Sequence, residues 1–222
     1  MADIRTHKRV NDILLGSLER PALKWFSEHM PSWVNPDILT GLGVLGAFLI
    51  LVSYWLTHFD RGFLWLVNLG FVLNWFGDSM DGTLARYRQV QRPKFGFFVD
   101  HTVDSFNEVL IFLAIGISPL MRFEIACLAL IGYLLMSVLV FVRTCVTGEF
   151  QISYGKLGPT EVRAIAVGVN TLIYFFGNPA WRTPLGPMTF FDVVGAGIAA
   201  LLFVIFIGST LKQARQLSSV GE

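Results

Sequence analysis

Residues 122–146 read RFEIACLALIGYLLMSVLVFVRTCV, a nearly unbroken apolar run with Arg122 and Arg143 near its ends. A helix crosses a bilayer with about 20 mostly apolar residues. Five more stretches qualify, near 36–58, 62–86, 96–120, 159–178 and 187–211. The composition agrees. Of the 222 residues 54% are hydrophobic and 15% charged, against about 25% charged in an average soluble domain, and the mean hydropathy is +0.59. An ordinary soluble globule is excluded, because too few charges remain to cover a water-facing surface. The 20 Phe and 6 Trp exclude a disordered chain, the glycines have no triplet period, and two cysteines cannot build a disulfide scaffold. Cys127 and Cys145, in apolar helical surroundings, read as small core residues. A net charge of +1 argues against nucleic acid as a partner, since phosphate-backbone binding needs a basic excess. The expected architecture is an all-α integral membrane protein of six transmembrane helices.

Residues 1–33 form a separate arm. It mixes Ile13, Leu14, Leu18, Leu23, Trp25 and Phe26 with Arg5, Lys8, Arg9, Arg20 and Lys24, the pattern of an amphipathic helix lying on a membrane surface. It lacks the uninterrupted apolar core and small-residue cleavage site of a signal peptide. Residues 34–222 are expected to be one membrane domain without internal repeats. Lys and Arg are distributed unevenly. The arm holds five, the 86–94 connection four, the 143–163 region three and the tail two, whereas the alternate connections hold only Arg61, Arg122 and Arg182. By the positive-inside rule both termini and the 86–94 and 143–163 connections are cytoplasmic.

Two of the six stretches are anomalous. The second ends in Asp78-Ser79-Met80-Asp81-Gly82-Thr83-Leu84-Ala85-Arg86, and the third begins Gly96-Phe97-Phe98-Val99-Asp100-His101-Thr102-Val103-Asp104. Ionisable groups inside a span are costly and mark function. On a helix Asp78, Asp81, Gly82 and Ala85 share one face, as do Gly96, Asp100 and Asp104 on the next. A short basic connection turns the two faces toward each other, at the cytoplasmic edge. Four carboxylates without as many cations on the same faces repel strongly unless metal ions neutralise them. Oxygen ligands of this kind suit Mg²⁺ or Mn²⁺, with two ions as the natural occupancy. Gly82, Ala85 and Gly96 clear space for a bulky nucleotide. Arg86, Arg88, Arg92 and Lys94 bring positive charge to the rim, although the last three serve equally as topology determinants.

The pattern Asp-x-x-Asp-Gly-x-x-Ala-Arg, a nine-residue spacer and Gly-x-x-x-Asp-x-x-x-Asp resembles the signature of the CDP-alcohol phosphotransferase (phosphatidyltransferase) family. The Asn35-Pro36-Asp37-Ile38-Leu39-Thr40 approach to the first span is similar to that family's Pro-Asn-x-x-Thr start, with Pro and Asn exchanged. The resemblance implies a membrane enzyme of phospholipid biosynthesis. It would move a substituted phosphate from a CDP-linked donor to the hydroxyl of a lipid or alcohol acceptor, releasing CMP. It further implies Asp78, Asp81 and Asp100 as metal ligands, Asp104 as a further ligand or base, nucleotide contacts from Gly82, Ala85, Arg86 and Gly96, and a homodimer among membrane lipids.

Two local strings bear on the substrate. Asp100-His101-x-x-Asp104-Ser105 and Gly158-Pro159-Thr160-Glu161 resemble the branch that joins CDP-ethanolamine or CDP-choline to diacylglycerol. There His101 would be a second candidate base, and Glu161 would orient it or meet a cationic amine. Lys156 and Arg163 fit instead an acceptor phosphate, as in the branch that joins CDP-diacylglycerol to glycerol phosphate or inositol phosphate. The expected preference is for the aminoalcohol donor, with CDP-diacylglycerol as the alternative. Asn107 and Glu108 lie one turn deeper than Asp104. An interhelical hydrogen bond is their default reading and an acceptor-pocket lining the other. Gly41, Gly43, Gly46, Gly195 and Gly197 read as helix-packing positions. Outside the enzyme class, buried acids on adjacent helices also suit a cation transporter, which predicts acids at mid-membrane and repeated halves. A non-catalytic scaffold leaves the carboxylates without a purpose.

Overall fold

A computed structural model describes residues 8–10, 14–151, 158–184 and 186–219. Among the described residues seven α-helices follow one another: α1 (Gly16–His29), α2 (Pro36–Leu56), α3 (Leu64–Tyr87), α4 (Pro93–Ile117), α5 (Phe123–Thr147), α6 (Pro159–Phe176) and α7 (Phe190–Ser219). Six of them coincide with the six apolar stretches and α1 lies in the N-terminal arm. Two short sheets depart from the all-α expectation. β1 (Lys8–Val10) pairs in parallel with β2 (Glu149–Gln151), and β3 (Ala180–Thr183) forms an antiparallel hairpin with β4 (Gly186–Thr189). The hydropathy pattern does not reveal them, since strands of three or four residues are too short to show a period.

Local chemistry sets the helix ends. The Asn35 side chain accepts from the Ile38 backbone N–H at 2.9 Å, and Pro36 occupies the first helical position, where its missing N–H costs nothing. Gly148, at φ 73°, stops α5 in the left-handed conformation that side chains disfavour. The turn between α1 and α2 is held by Arg88, whose guanidinium donates to the carbonyls of Met30, Pro31 and Val34. This residue, read as a topology determinant, is therefore also a structural clamp.

Helices α2, α5 and α7 are long and apolar enough to cross a membrane by themselves. Helices α3, α4 and α6 are more polar because each contributes ionisable groups to one end of the bundle. Away from those groups, Ile50, Tyr54, Val67, Phe71, Ala114 and Ile173 form the main core. A polar chain crosses it: Tyr54 donates to Asn170 at 2.9 Å, and Asn170 to Asn68 at 3.1 Å. A smaller cluster of Leu23, Val34, Leu39, Met80 and Leu84 seats α1 against α2 and α3.

The α2–α3 contact is the closest in the bundle. A Cβ built on Gly77 would lie 2.4 Å from the Gly43 backbone N and 2.5 Å from the Leu39 carbonyl O, and one on Gly46 would lie 2.6 Å from the Asn74 backbone N. Small residues bring the two backbones together here, and dispersion contacts follow. Gly195 likewise packs against Met121. Gly41 and Gly197 do not serve this purpose, because each faces open space. Cys145 also departs from the core reading, since it is exposed, whereas Cys127 is half-buried.

Candidate active site

The C-terminal end of α3 and the N-terminal half of α4 present their carboxylates toward the start of α6. Oxygens of Asp78, Asp100 and Asp104 lie within 4.8 Å of one another. They open onto a cavity of about 720 Å³ walled by α1, α3, α4, α5, α6 and α7. Asp81 lines the same cavity but stands apart from the other three. Its carboxylate accepts from Thr40 Oγ1 at 2.6 Å and from the Gly82 backbone N–H. The expected group of four is therefore a cluster of three with Asp81 beside it, because α2 supplies a hydroxyl that competes for the fourth carboxylate.

A cation also enters where the α3 and α4 faces alone offered none. Arg163, on the first turns of α6, donates from Nη1 to Asp78 Oδ2 at 2.7 Å. Their side chains are only 14% and 20% exposed, so the pair is poorly screened and Arg163 offsets one of the three carboxylates. Asp100 and Asp104 thus offer carboxylate oxygens beside a paired Asp78, a donor set suited to a hard divalent ion. His101 Nδ1 lies 3.4 Å from Asp100 Oδ2, and its ring stacks on Phe97 with centroids 4.2 Å apart. The imidazole is fixed next to the cluster and faces the cavity.

The nucleotide-contact candidates divide. Gly82 and Arg86 line the cavity, and the guanidinium lies over Gly82, 3.2 Å from where a Cβ would stand. Ala85 and Gly96 are not among its walls, and Gly96 is exposed with nothing within 4 Å of an added Cβ. α2 packs against both helices, and the faces of α3 and α4 scarcely meet each other.

Glu161 needs a correction. It is 5% exposed, and its two oxygens accept from the Leu15 and Gly158 backbone N–H groups, both at 2.9 Å. It caps α6 and pins the start of α1, a side chain reaching back to satisfy orphan amides, and it reaches neither His101 nor the cavity. Lys156 lies outside the described residues.

Several cavity residues escaped the sequence reading. Glu19, Leu23 and Ser27 of α1 form one wall; their four-residue spacing on one helix face was the available signal. Glu19 Oε1 accepts from Trp75 Nε1 at 2.9 Å and from Ser79 Oγ at 3.0 Å, which latches α1 one residue from Asp78. Glu19→Ala leaves both donors without an acceptor and is expected to cost about 2–3 kcal/mol. Limited proteolysis should then cut α1 faster, and an unchanged cleavage rate would deny the latch. Tyr133 of α5, whose hydroxyl donates to the Glu108 carboxylate, also faces the cavity. One tyrosine in an apolar helix gave no signal.

A family model for CDP-alcohol phosphatidyltransferase matches residues 33–206. The chain is 34% identical over 84 residues to the phosphatidylinositol phosphate synthase of Cutibacterium acnes, a match covering 38% of each chain. It is 30% identical over 104 residues to the archaetidylinositol phosphate synthase of Pyrococcus horikoshii, covering 47% of this chain and 52% of that one. An uncharacterized protein of Aquifex aeolicus is 28% identical over 194 residues, 87% of this chain and 84% of its own. The matches thus span about half or less of the two named relatives. The family match, by contrast, takes in α2 to α6, most of α7 and every carboxylate of the cluster, and the chain belongs to the CDP-alcohol phosphatidyltransferase family.

Proposed function

We propose that this chain transfers the phosphatidyl group of CDP-diacylglycerol to a hydroxyl of a polar, phosphate-bearing alcohol such as inositol phosphate or glycerol phosphate, releasing CMP. The observation that carries the reading is the meeting of Asp78, Asp100 and Asp104 with Arg163 in one cavity bounded by apolar helices on one side and by the polar face of α1 on the other. Such a cavity suits a donor that is part lipid and part nucleotide. The names of two relatives, a phosphatidylinositol phosphate synthase and an archaetidylinositol phosphate synthase, support a CDP-linked lipid donor over the CDP-aminoalcohol preferred from the sequence. The capping role of Glu161 removes that preference's candidate partner for a cationic amine.

In the proposed reaction the acceptor oxygen forms a bond to the β-phosphorus as the bond from that phosphorus to the bridging oxygen breaks. The bridging oxygen leaves with CMP, and the hydroxyl proton passes to Asp104, or to His101 beside it. Asp78, Asp100 and Asp104 would hold the Mg²⁺ or Mn²⁺ ions, with Asp81 joining them on releasing Thr40. Two such ions neutralise the pyrophosphate and the leaving CMP when bound. Arg86 meets the nucleotide's phosphates at the rim, and Gly82 lets the nucleotide approach the α3 backbone. Arg163 holds Asp78 in place and, across the cluster, meets the acceptor phosphate bidentately. The apolar flanks of α2 to α7 sit among membrane lipids as six spans, with α1 on the surface, the site and both termini on the cytoplasmic side, and the protein paired as a homodimer.

Purified full chain supplied with Mg²⁺ and CDP-diacylglycerol, CDP-ethanolamine or CDP-choline, each with its matching acceptors, separates the readings. CMP from CDP-diacylglycerol with a polyol phosphate is expected. CMP only from an aminoalcohol donor with diacylglycerol would reverse the assignment.

A further inference from the structure

Beneath the carboxylate cluster the cavity continues into a chamber of about 80 Å³ that shares the Asp104, Glu108, Tyr133 and Arg163 walls. This is room for several water-sized groups. Most of its remaining lining is apolar, from α3, α4, α5, α6 and α7. Two atoms stand out against that lining. Asn107 is 2% exposed and its Oδ1 has no hydrogen-bond partner. Glu108 uses its carboxylate to accept from Tyr133, but its Oε2 is buried without a partner. A buried acceptor left without a partner is destabilising, and more so when charged. Asn107 Oδ1 can only accept, and Glu108 Oε2 accepts when ionised and donates when protonated, so a hydroxyl, which does both, satisfies either atom. The site offers the interhelical hydrogen bond expected of this pair on one side only, from Tyr133 to Glu108.

We infer that Asn107 and Glu108 form a hydroxyl-reading floor to the acceptor subsite, which binds a second hydroxyl of a polyhydroxylated acceptor while the first lies at Asp104. The inference rests on the reading of the site as a CDP-alcohol phosphotransferase centre. Asn107 and Glu108 occupy the turn of α4 just below Asp104, about 5 Å along the helix axis, so one small polyol can span both levels. A diacylglycerol has one free hydroxyl and leaves the floor unpaired, whereas glycerol phosphate and inositol phosphate each bring at least one more. A site built to bond a substrate hydroxyl rejects the analogue that lacks it, because its own buried groups are then left unmatched.

The test uses the purified full chain with Mg²⁺ and CDP-diacylglycerol, comparing glycerol 3-phosphate with 3-hydroxypropyl phosphate and inositol phosphate with its deoxy analogues. The wild type is expected to favour the fully hydroxylated acceptor at least tenfold in kcat/KM. Glu108→Gln and Asn107→Leu should bring that ratio toward one, mainly by raising KM for the hydroxylated acceptor with KM for the donor unchanged. Asn107→Leu should melt no lower than the wild type, since it removes an unpartnered buried acceptor. A lowered melting midpoint with an unchanged acceptor ratio would make both residues structural and overturn the inference. Turnover confined to diacylglycerol acceptors would overturn it as well. Absence of CMP release from every donor would instead bring down the reading of the site on which it rests.

Discussion

Asp100→Asn is expected to lower CMP release by about 10³-fold or more, without unfolding the protein. Asp100 is one of three carboxylates whose oxygens lie within 4.8 Å, and the His101 ring lies 3.4 Å from it. Replacing it with an amide keeps the shape and removes one negative charge from a site that, on the proposed reading, holds positive charge at the pyrophosphate. Asp78→Asn should be as severe for activity and worse for stability. It leaves Arg163 buried without its 2.7 Å partner, and an uncompensated buried charge costs about 3–5 kcal/mol. The pair of variants therefore separates a purely catalytic loss from a mixed one. Apparent melting in detergent, recorded beside CMP release, reads the difference. Equal melting of the two variants would deny the Asp78–Arg163 pair a structural share.

Gly77→Ala is expected to separate α2 from α3. The added methyl would meet the Gly43 backbone N at 2.4 Å and the Leu39 carbonyl at 2.5 Å. Both are backbone atoms, so no rotamer change relieves the overlap, and the helices must move apart. Overpacking of this kind costs about 1–3 kcal/mol and sometimes more. Gly77 precedes Asp78, so the shift also displaces the cluster, and activity should fall with the melting midpoint. Gly41→Ala is the control. It lies on α2 near the same contact with nothing within 4 Å and, by helix propensity, should be neutral or slightly stabilising. Matching melts for Gly77→Ala and the wild type would contradict the close approach.

The sequence made the helices legible because their apolar runs are as long as a bilayer requires, and it made Asp78, Asp100 and Asp104 legible because a period of 3.6 places them on facing surfaces. Contacts between distant segments were not legible. Arg163 and Asp78 are 85 residues apart, and only the fold shows that α6 delivers a cation to α3. Glu161 resembled a substrate contact in a local string, but its oxygens were claimed by the amides of Leu15 and Gly158. Gly96 looked like cleared space, but it is exposed outside the cavity with nothing within 4 Å of an added Cβ. Asp81 looked equivalent to its neighbours until Thr40 competed for it. In each case helical spacing reported which face a residue occupies, and the packing of a third helix decided what that face meets.

In the proposed reaction the Asp78, Asp100 and Asp104 cluster drives metal-dependent transfer from a CDP-linked lipid. The most direct measurement is CMP formation by the purified full chain supplied with CDP-diacylglycerol, a polyol phosphate and Mg²⁺, then with chelator, then with Asp100→Asn in place of the wild type. CMP is expected from the wild type, with its loss on chelation and recovery on added Mg²⁺ or Mn²⁺, and about 10³-fold less or lower still from the variant. CMP formation that survives both chelation and Asp100→Asn would contradict it.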